Sequence, residues 1–179
     1  MGVVSPIGIG NEPFWTSLYE GRGGIRLLEL FSDHDLPAPI GGEVVGLHAE
    51  RHVRPRKSLK VMSRDIRLAM VAADLASIDA GIDGSPVDPE RLGVVFGADM
   101  ILCDLEEMVA PYRACLGSGQ FDFTEWGRKA LPEMYPLWML KYLPNMPACH
   151  AGIAQDARGP TNAPTLREVS GLASIAEAI

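Results

Sequence analysis

The chain has 179 residues, of which 47% are hydrophobic and 22% charged, as is typical of one globular domain or a large piece of one. Its net charge of −7 argues against a general nucleic-acid-binding protein, which needs a basic face to neutralise phosphates. No segment approaches the roughly 18 apolar residues of a membrane span, and no signal peptide is visible, so we predict a protein that does not contact membranes.

The cysteines indicate a reducing environment. Cys103, Cys115 and Cys149 are odd in number and widely spaced, which argues against a disulfide framework or a CxxC metal site. His34 and the histidines at positions 48 and 52 show no metal-ligand spacing. We therefore predict a cytoplasmic protein with neither a metal nor a cofactor.

One basic run, RHVRPRK from residue 51 to residue 57, interrupts this acidic sequence. Such a run is most often a solvated loop. The functional interpretation is a docking site for an acidic partner or a phosphate.

The first eighty residues predict loops, two helices and one strand. Residues 1–8 are punctuated by glycine and predict a loop, and a short helix opens at Asn11 and ends near Gly21. The β-branched run from Glu43 to His48 fits a strand. Apolar residues recur at helical spacing between Ser58 and Ala80 and predict the longest helix.

Within that longest helix, Ser63 is a plausible N-cap and Gly81 supplies the C-terminal cap. The apolar run Leu92–Gly97 predicts a buried strand, and a helix follows from Ile101 to Ala114. Residues 117–144 are rich in aromatics, which fits either an interface or plain core packing.

The last thirty-five residues predict a helix, a turn at Gly159-Pro160, a strand over Thr161–Leu166 and a sharp corner into a second helix. Strands that alternate with helices predict one α/β domain over residues 1–179, with a mixed sheet covered by helices. The chain begins without a strand and ends inside the helix Ser170–Ile179. We therefore expect it to be incomplete at both ends.

Several motifs, in this order and spacing, resemble the N-terminal half of a β-ketoacyl synthase, a family with the thiolase-like fold. The motifs are GVVSPIG at residues 2–8, KSLKVMSR at 57–64, DAGI at 79–82, RLGV at 91–94, and NM, A and H at 145, 146, 148 and 150 before RGP at 158–160. The resemblance covers essentially the whole chain. It implies a role in fatty acid or polyketide biosynthesis.

In this family a nucleophilic cysteine follows the Gly-Pro turn, and Ser-Gly comes one residue after that cysteine. Counted from Gly159-Pro160, the cysteine position falls on Glu168, followed by Val169 and then by Ser170 and Gly171. A thiolate at this helix N-terminus accepts an acyl group as a thioester. A carboxylate forms no such stable thioester, so Glu168 is the candidate site residue but not a nucleophile.

The resemblance also implies what lies outside this chain and what it binds. The family's two catalytic histidines and a supporting lysine belong to its C-terminal half, so this fragment alone is expected to be inactive. The implied partners are acyl carrier protein, acyl or malonyl thioesters, and a second subunit in a homo- or heterodimer.

Three interpretations of function remain open. The first is a non-condensing subunit, resembling either a malonyl decarboxylase or a chain-length factor, in which a buried and neutral Glu168 mimics the acylated cysteine. The second is a dimer partner or scaffold, although Pro164 disturbs the strand expected at the two-fold axis. The third is an inactive truncated product. By itself, Glu168 also fits a solvated glutamate at a helix start.

Overall fold

The computed structural model describes residues 1–28, 37–82, 87–117 and 119–179. The helices are α1 (Asn11–Tyr19), α2 (Ala49–His52), α3 (Arg64–Asp79), α4 (Leu105–Ala114), α5 (Met146–Gln155) and α6 (Ser170–Ala178). The strands are β1 (Val4–Ser5), β2 (Gly8–Ile9), β3 (Ile25–Leu27), β4 (Ile40–Gly42), β5 (Val94–Val95), β6 (Leu116–Gly117), β7 (Gln120–Phe121) and β8 (Thr161–Asn162). In the described residues these strands form pairs, of which β5–β8 is parallel and the other three are antiparallel.

The prediction of a plain loop over residues 1–8 is wrong, because β1 and β2 form a hairpin there. Only Pro6 and Ile7 separate the paired residues Ser5 and Gly8, which is the short connection that hairpins favour. The Ser5 hydroxyl accepts a hydrogen bond from the Ile7 N–H at 3.3 Å and donates one to the Gly8 carbonyl at 3.1 Å. The Ser5 side chain therefore stabilises the turn by hydrogen bonds, which the apolar pattern of the sequence did not predict.

The predicted strand over Glu43–His48 is also wrong, because the strand lies just before it, at Ile40–Gly42, and pairs with β3. A Cβ on Gly42 would lie 2.9 Å from the Pro6 side chain, so a close contact with the first hairpin fixes this position. The β-branched run continues instead as a connection into α2.

The longest predicted helix is present as α3, and the Ser63 cap is confirmed by a hydrogen bond from the Ile66 N–H to the Ser63 hydroxyl at 3.4 Å. The helix begins later than predicted, because Arg56–Val61 form a separate 3₁₀ turn. Its buried face joins α2 and α5 in the main core. The most buried apolar members of this core are Val53, Met62, Ile66, Met70 and Val71.

The aromatic segment 117–144 divides into a core part and a surface part. Tyr142 is buried and packs against Trp138, with ring centroids 5.0 Å apart. Phe121 and Trp126 belong instead to a surface cluster, in which Phe123 is 71% exposed. Core packing therefore explains one end of the segment, and an interface stays a prediction for the other.

The C-terminal elements place the site. As predicted, α5 is followed by the Gly-Pro turn and a strand, although β8 is limited to Thr161–Asn162. β8 runs parallel to β5, and both α5 and α6 contact β5. This parallel pair is therefore covered by α5 and α6, and α5 in turn packs on α3.

Candidate functional site

The site is the corner between β8 and α6. The backbone follows β5 as far as residue 164, because the Phe96 and Ala98 N–H groups donate to the carbonyls of Asn162 and Pro164 at 3.1 and 3.3 Å. It then turns through the 3₁₀ residues Arg167–Val169 into α6. The predicted corner into a second helix is present, but it lies earlier than Val169–Gly171, because the turn occupies Arg167–Val169 and Ser170 and Gly171 already belong to α6.

A buried hydroxyl closes this corner. Ser170 is the first residue of α6 and is 3% exposed. Its hydroxyl accepts from the Leu166 N–H at 2.8 Å and donates to the Arg167 carbonyl at 2.6 Å. Between these two partners, Arg167 adopts a φ of +56°, which residues other than glycine seldom do.

The loop after β5 supports the corner from behind. A Cβ on Gly97 would lie 2.4 Å from the Ser170 carbonyl oxygen and 2.6 Å from the Gly171 nitrogen. The Gly97 backbone therefore packs directly on the peptide bond between Ser170 and Gly171. Sequence reasoning missed this role, although the glycine that ends the Leu92–Gly97 run was its visible signal.

The side chain of Glu168 is exposed, as is that of Val169, and Gly171 is exposed too. Glu168 lies in the last turn before α6, where the unpaired N–H groups of the helix favour negative charge. This chain therefore leaves the Glu168 side chain open to solvent. It does place the residue at a helix N-terminus, as the corner pattern predicts.

The nearby cysteine and histidine of α5 have separate surroundings. Cys149 lines a cavity of about 370 Å³ with Asn145 and β8, and its sulfur lies 3.9 Å from the Asn145 amide nitrogen. His150 is 8% exposed, and its Nε2 has no hydrogen-bond partner among the described residues. Burial lowers the pKa of His150, which favours a neutral, structural imidazole.

In the described part of the chain, no group of three or more His, Cys, Asp or Glu side chains is arranged to hold a metal ion. His48 and His52 lie 3.1 and 2.7 Å from the carboxylates of Glu50 and Asp74. His34 lies outside the described residues. Within the same ranges, no helix has both the length and the apolar character to cross a bilayer.

The basic run of the sequence forms part of a larger surface, here called the basic face. It spans α2, the 3₁₀ turn that contacts α2, and the first turn of α3. Its exposed cationic residues are Arg51, Arg54, Arg56, Lys57, Lys60, Arg64 and Arg67. A cavity of about 300 Å³ opens beside Arg64 and Arg67.

Comparison with known proteins agrees with this architecture. The family described as "Beta-ketoacyl synthase, N-terminal domain" matches residues 1–179. The tetracenomycin polyketide synthase ketoacyl synthase beta subunit of Streptomyces glaucescens is 36% identical over 138 residues, covering 77% of this chain and 28% of that protein. The actinorhodin polyketide putative beta-ketoacyl synthase 2 of Streptomyces coelicolor is 30% identical over 186 residues, covering 99% of this chain and 40% of its own length.

Solved structures share the fold at low sequence identity. A beta-ketoacyl synthase from Burkholderia phymatum superposes with a TM-score of 0.74 at 20% identity, over 99% of this chain and 40% of its own. The ishigamide ketosynthase/chain length factor gives 0.64 at 20% identity, over 92% and 38%. A type II polyketide synthase acyl-carrier protein in complex with its ketosynthase gives 0.69 at 15% identity, over 99% and 44%.

This chain therefore belongs to the β-ketoacyl synthase family and has the N-terminal half of the thiolase-like fold. It spans two fifths or less of the length of the two curated relatives described above.

Proposed function

We propose that this chain is the N-terminal half of a ketosynthase-like subunit of polyketide or fatty acid synthesis that does not condense acyl chains. The proposal rests on Glu168, which lies in the turn before α6 and which the sequence resemblance aligns with the family's nucleophilic cysteine. The matched family and the polyketide relatives support the pathway.

The replacement of a cysteine by a glutamate at residue 168 explains why condensation would stop. A cysteine thiolate in this corner attacks the carbonyl carbon of an acyl thioester and expels the carrier thiol, leaving a new thioester on the protein. A carboxylate profits from the same helix N-terminus but forms no stable thioester. Glu168 therefore cannot hold the acyl group between the two halves of a condensation.

Of the non-condensing roles, we favour a subunit like a chain-length factor over one like a decarboxylase. Decarboxylation of a malonyl thioester develops negative charge on the substrate, which a carboxylate side chain beside it repels. The names of two matches, a beta subunit and a ketosynthase/chain length factor, support the same choice.

The test is Glu168→Cys in the full-length product of this gene, incubated with an acyl carrier protein bearing a labelled acyl thioester. We expect the natural protein to gain no acyl group and the variant to gain one, as seen by intact mass. Val169→Cys is the matched control, because it places a thiol one residue further along. Failure to trap a thioester on the Glu168→Cys variant would sink the proposal.

We further propose that the subunit pairs with a second ketosynthase subunit through the outer edge of β8. The Pro164 carbonyl accepts from the Ala98 N–H, so residue 164 faces β5 and its missing N–H falls on the inner edge. The outer edge therefore loses no donor to this proline, and the sequence-based objection to strand pairing is weakened.

Analytical ultracentrifugation of the full-length protein, alone and with the product of its genomic neighbour, tests the pairing. We expect a heterodimer in the mixture. A monomer in both samples would contradict the partner role. An inactive truncated product would fail this test and the acylation test together.

A further inference from the structure

The corner that carries Glu168 is held by groups other than Glu168. The two hydrogen bonds that close it use the Ser170 hydroxyl with backbone groups of Leu166 and Arg167. The Ser174 hydroxyl adds a bond to the Ser170 carbonyl at 2.9 Å, inside the first turns of α6. The fixed element is therefore the backbone around residue 168.

Gly97 supplies the second constraint, from a different part of the chain. It follows β5, whose ladder with the β8 segment extends to the bond between Ala98 and Pro164. Any side chain at residue 97 would collide with the Ser170 carbonyl and the Gly171 nitrogen, both of them backbone atoms. The contact can thus be relieved only by moving α6 or the loop.

We infer that Gly97 and Ser170 are the positioning residues of this site: they hold residue 168 against the N-terminus of α6, whichever side chain it bears. Ser170 fixes the turn that holds Arg167 at positive φ, and Gly97 fixes the distance between the corner and β5. The inference takes from the proposed function only that residue 168 is the site residue.

A thiol introduced by Glu168→Cys into the full-length protein reports on this geometry without any carrier protein or thioester. Its pKa is read from the pH dependence of iodoacetamide alkylation, followed at that peptide by mass spectrometry so that the natural cysteines do not interfere. We expect a value below the ordinary thiol value, because the helix N-terminus favours the thiolate. Adding Gly97→Ala or Ser170→Ala should lower its acid dissociation constant about two- to five-fold.

The controls separate positioning from general damage. A Cβ on Gly152 would have only one atom within 4 Å, at 3.9 Å, and Ser77→Ala removes a buried hydroxyl bonded within α3. Gly152→Ala and Ser77→Ala should therefore leave the pKa of the introduced thiol unchanged. Ser170→Thr keeps a hydroxyl, so the thiol at residue 168 should keep most of its lowered pKa in that variant. If Gly97→Ala prevents folding, Ser170→Ala and Ser170→Thr still test the positioning role of the corner.

An unchanged thiol pKa in a folded Ser170→Ala protein would overturn the inference, and so would an equal shift with Ser77→Ala. Because alkylation requires no acyl transfer, this result is independent of the acylation test. A well-positioned thiol that accepts no acyl group would contradict the proposed function and leave the positioning residues intact.

Discussion

Glu168 and Ser170 lie two residues apart and differ sharply in what surrounds them. Glu168 is exposed, whereas Ser170 is buried and bonded on both sides of its hydroxyl. Glu168→Ala should change the free energy of unfolding by no more than about 0.5 kcal/mol, as for most surface substitutions. Ser170→Ala should cost about 1–3 kcal/mol, because it leaves the Leu166 N–H without its partner.

Urea unfolding of the two variants measures this contrast. The prediction fails if Glu168→Ala proves the more destabilising of the two. Ser174→Ala serves as a control within α6, because it removes only a bond to a carbonyl that the helix itself can satisfy.

His150 gives the chain a defined response to acid. Burial lowers its pKa in the folded state, so the unfolded chain binds the proton more readily. Stability should therefore fall as the pH drops below about 6.5, the ordinary histidine pKa. His150→Leu should flatten the dependence of the urea midpoint on pH between pH 7 and 5.

An identical slope in the natural chain and in His150→Leu would show that another group causes the response.

At the level of the elements, the start of α3 depends on one side chain. Ser63 is 4% exposed and caps the Ile66 N–H, and the helix carries Ile66, Met70 and Val71, three of the five most buried residues of the core. Ser63→Ala should lower the free energy of unfolding by about 0.5–2 kcal/mol. Ser63→Thr retains a capping hydroxyl and should lose less, and the difference in urea midpoint between the two variants checks it.

The sequence predicted elements whose signal is local. The α3 cap and the Gly-Pro turn before β8 are such cases, because one or two residues determine the backbone there. The strand at Ile40–Gly42 could not be predicted, because two of its three residues are glycines and its position depends on contact with Pro6. Such long-range packing overrides β propensity.

The candidate site shows the same division. The corner and Glu168 were predicted from the family resemblance, by counting from Gly159-Pro160. The part played by Gly97 was not predicted, since some seventy residues separate it from Ser170. A glycine at a strand end has many uses, and only the measured approach to the Ser170 carbonyl identifies this one. The sequence could not predict the exposure of Glu168 either.

At the scale of the molecule, apolar side chains remain uncovered beside the site. On α6, Leu172 and Ile175 are 71% and 62% exposed, and Ile153 on α5 is 70% exposed. Leu172 and Ile175 are three residues apart on α6 and therefore neighbours on its surface, and large exposed apolar patches mark interaction sites. This agrees with a chain that spans two fifths or less of its relatives' length and that we propose to work within a larger assembly.

Charge is distributed unevenly over the same molecule. The chain carries a net charge of −7, yet the basic face collects seven exposed cationic residues between residues 51 and 67. This separation suits an acidic partner, because opposite potentials accelerate encounter and fix orientation. If the proposed function is right, we expect the acyl carrier protein of the acylation test to dock on this face.

Charge reversal tests this docking. Arg56→Glu with Lys57→Glu should weaken binding of an acidic carrier protein at least tenfold in surface plasmon resonance at low salt. The loss should come mainly from the association rate, because exposed charges act chiefly on encounter. In the natural protein, raising the ionic strength from about 0.01 to 0.15 M shortens the Debye length from about 30 to 8 Å and should reproduce much of the effect.

Arg22→Glu, outside the basic face and already paired with Glu20, is the control and should bind normally. Equal binding by the double variant and the Arg22→Glu control would assign the carrier to another surface.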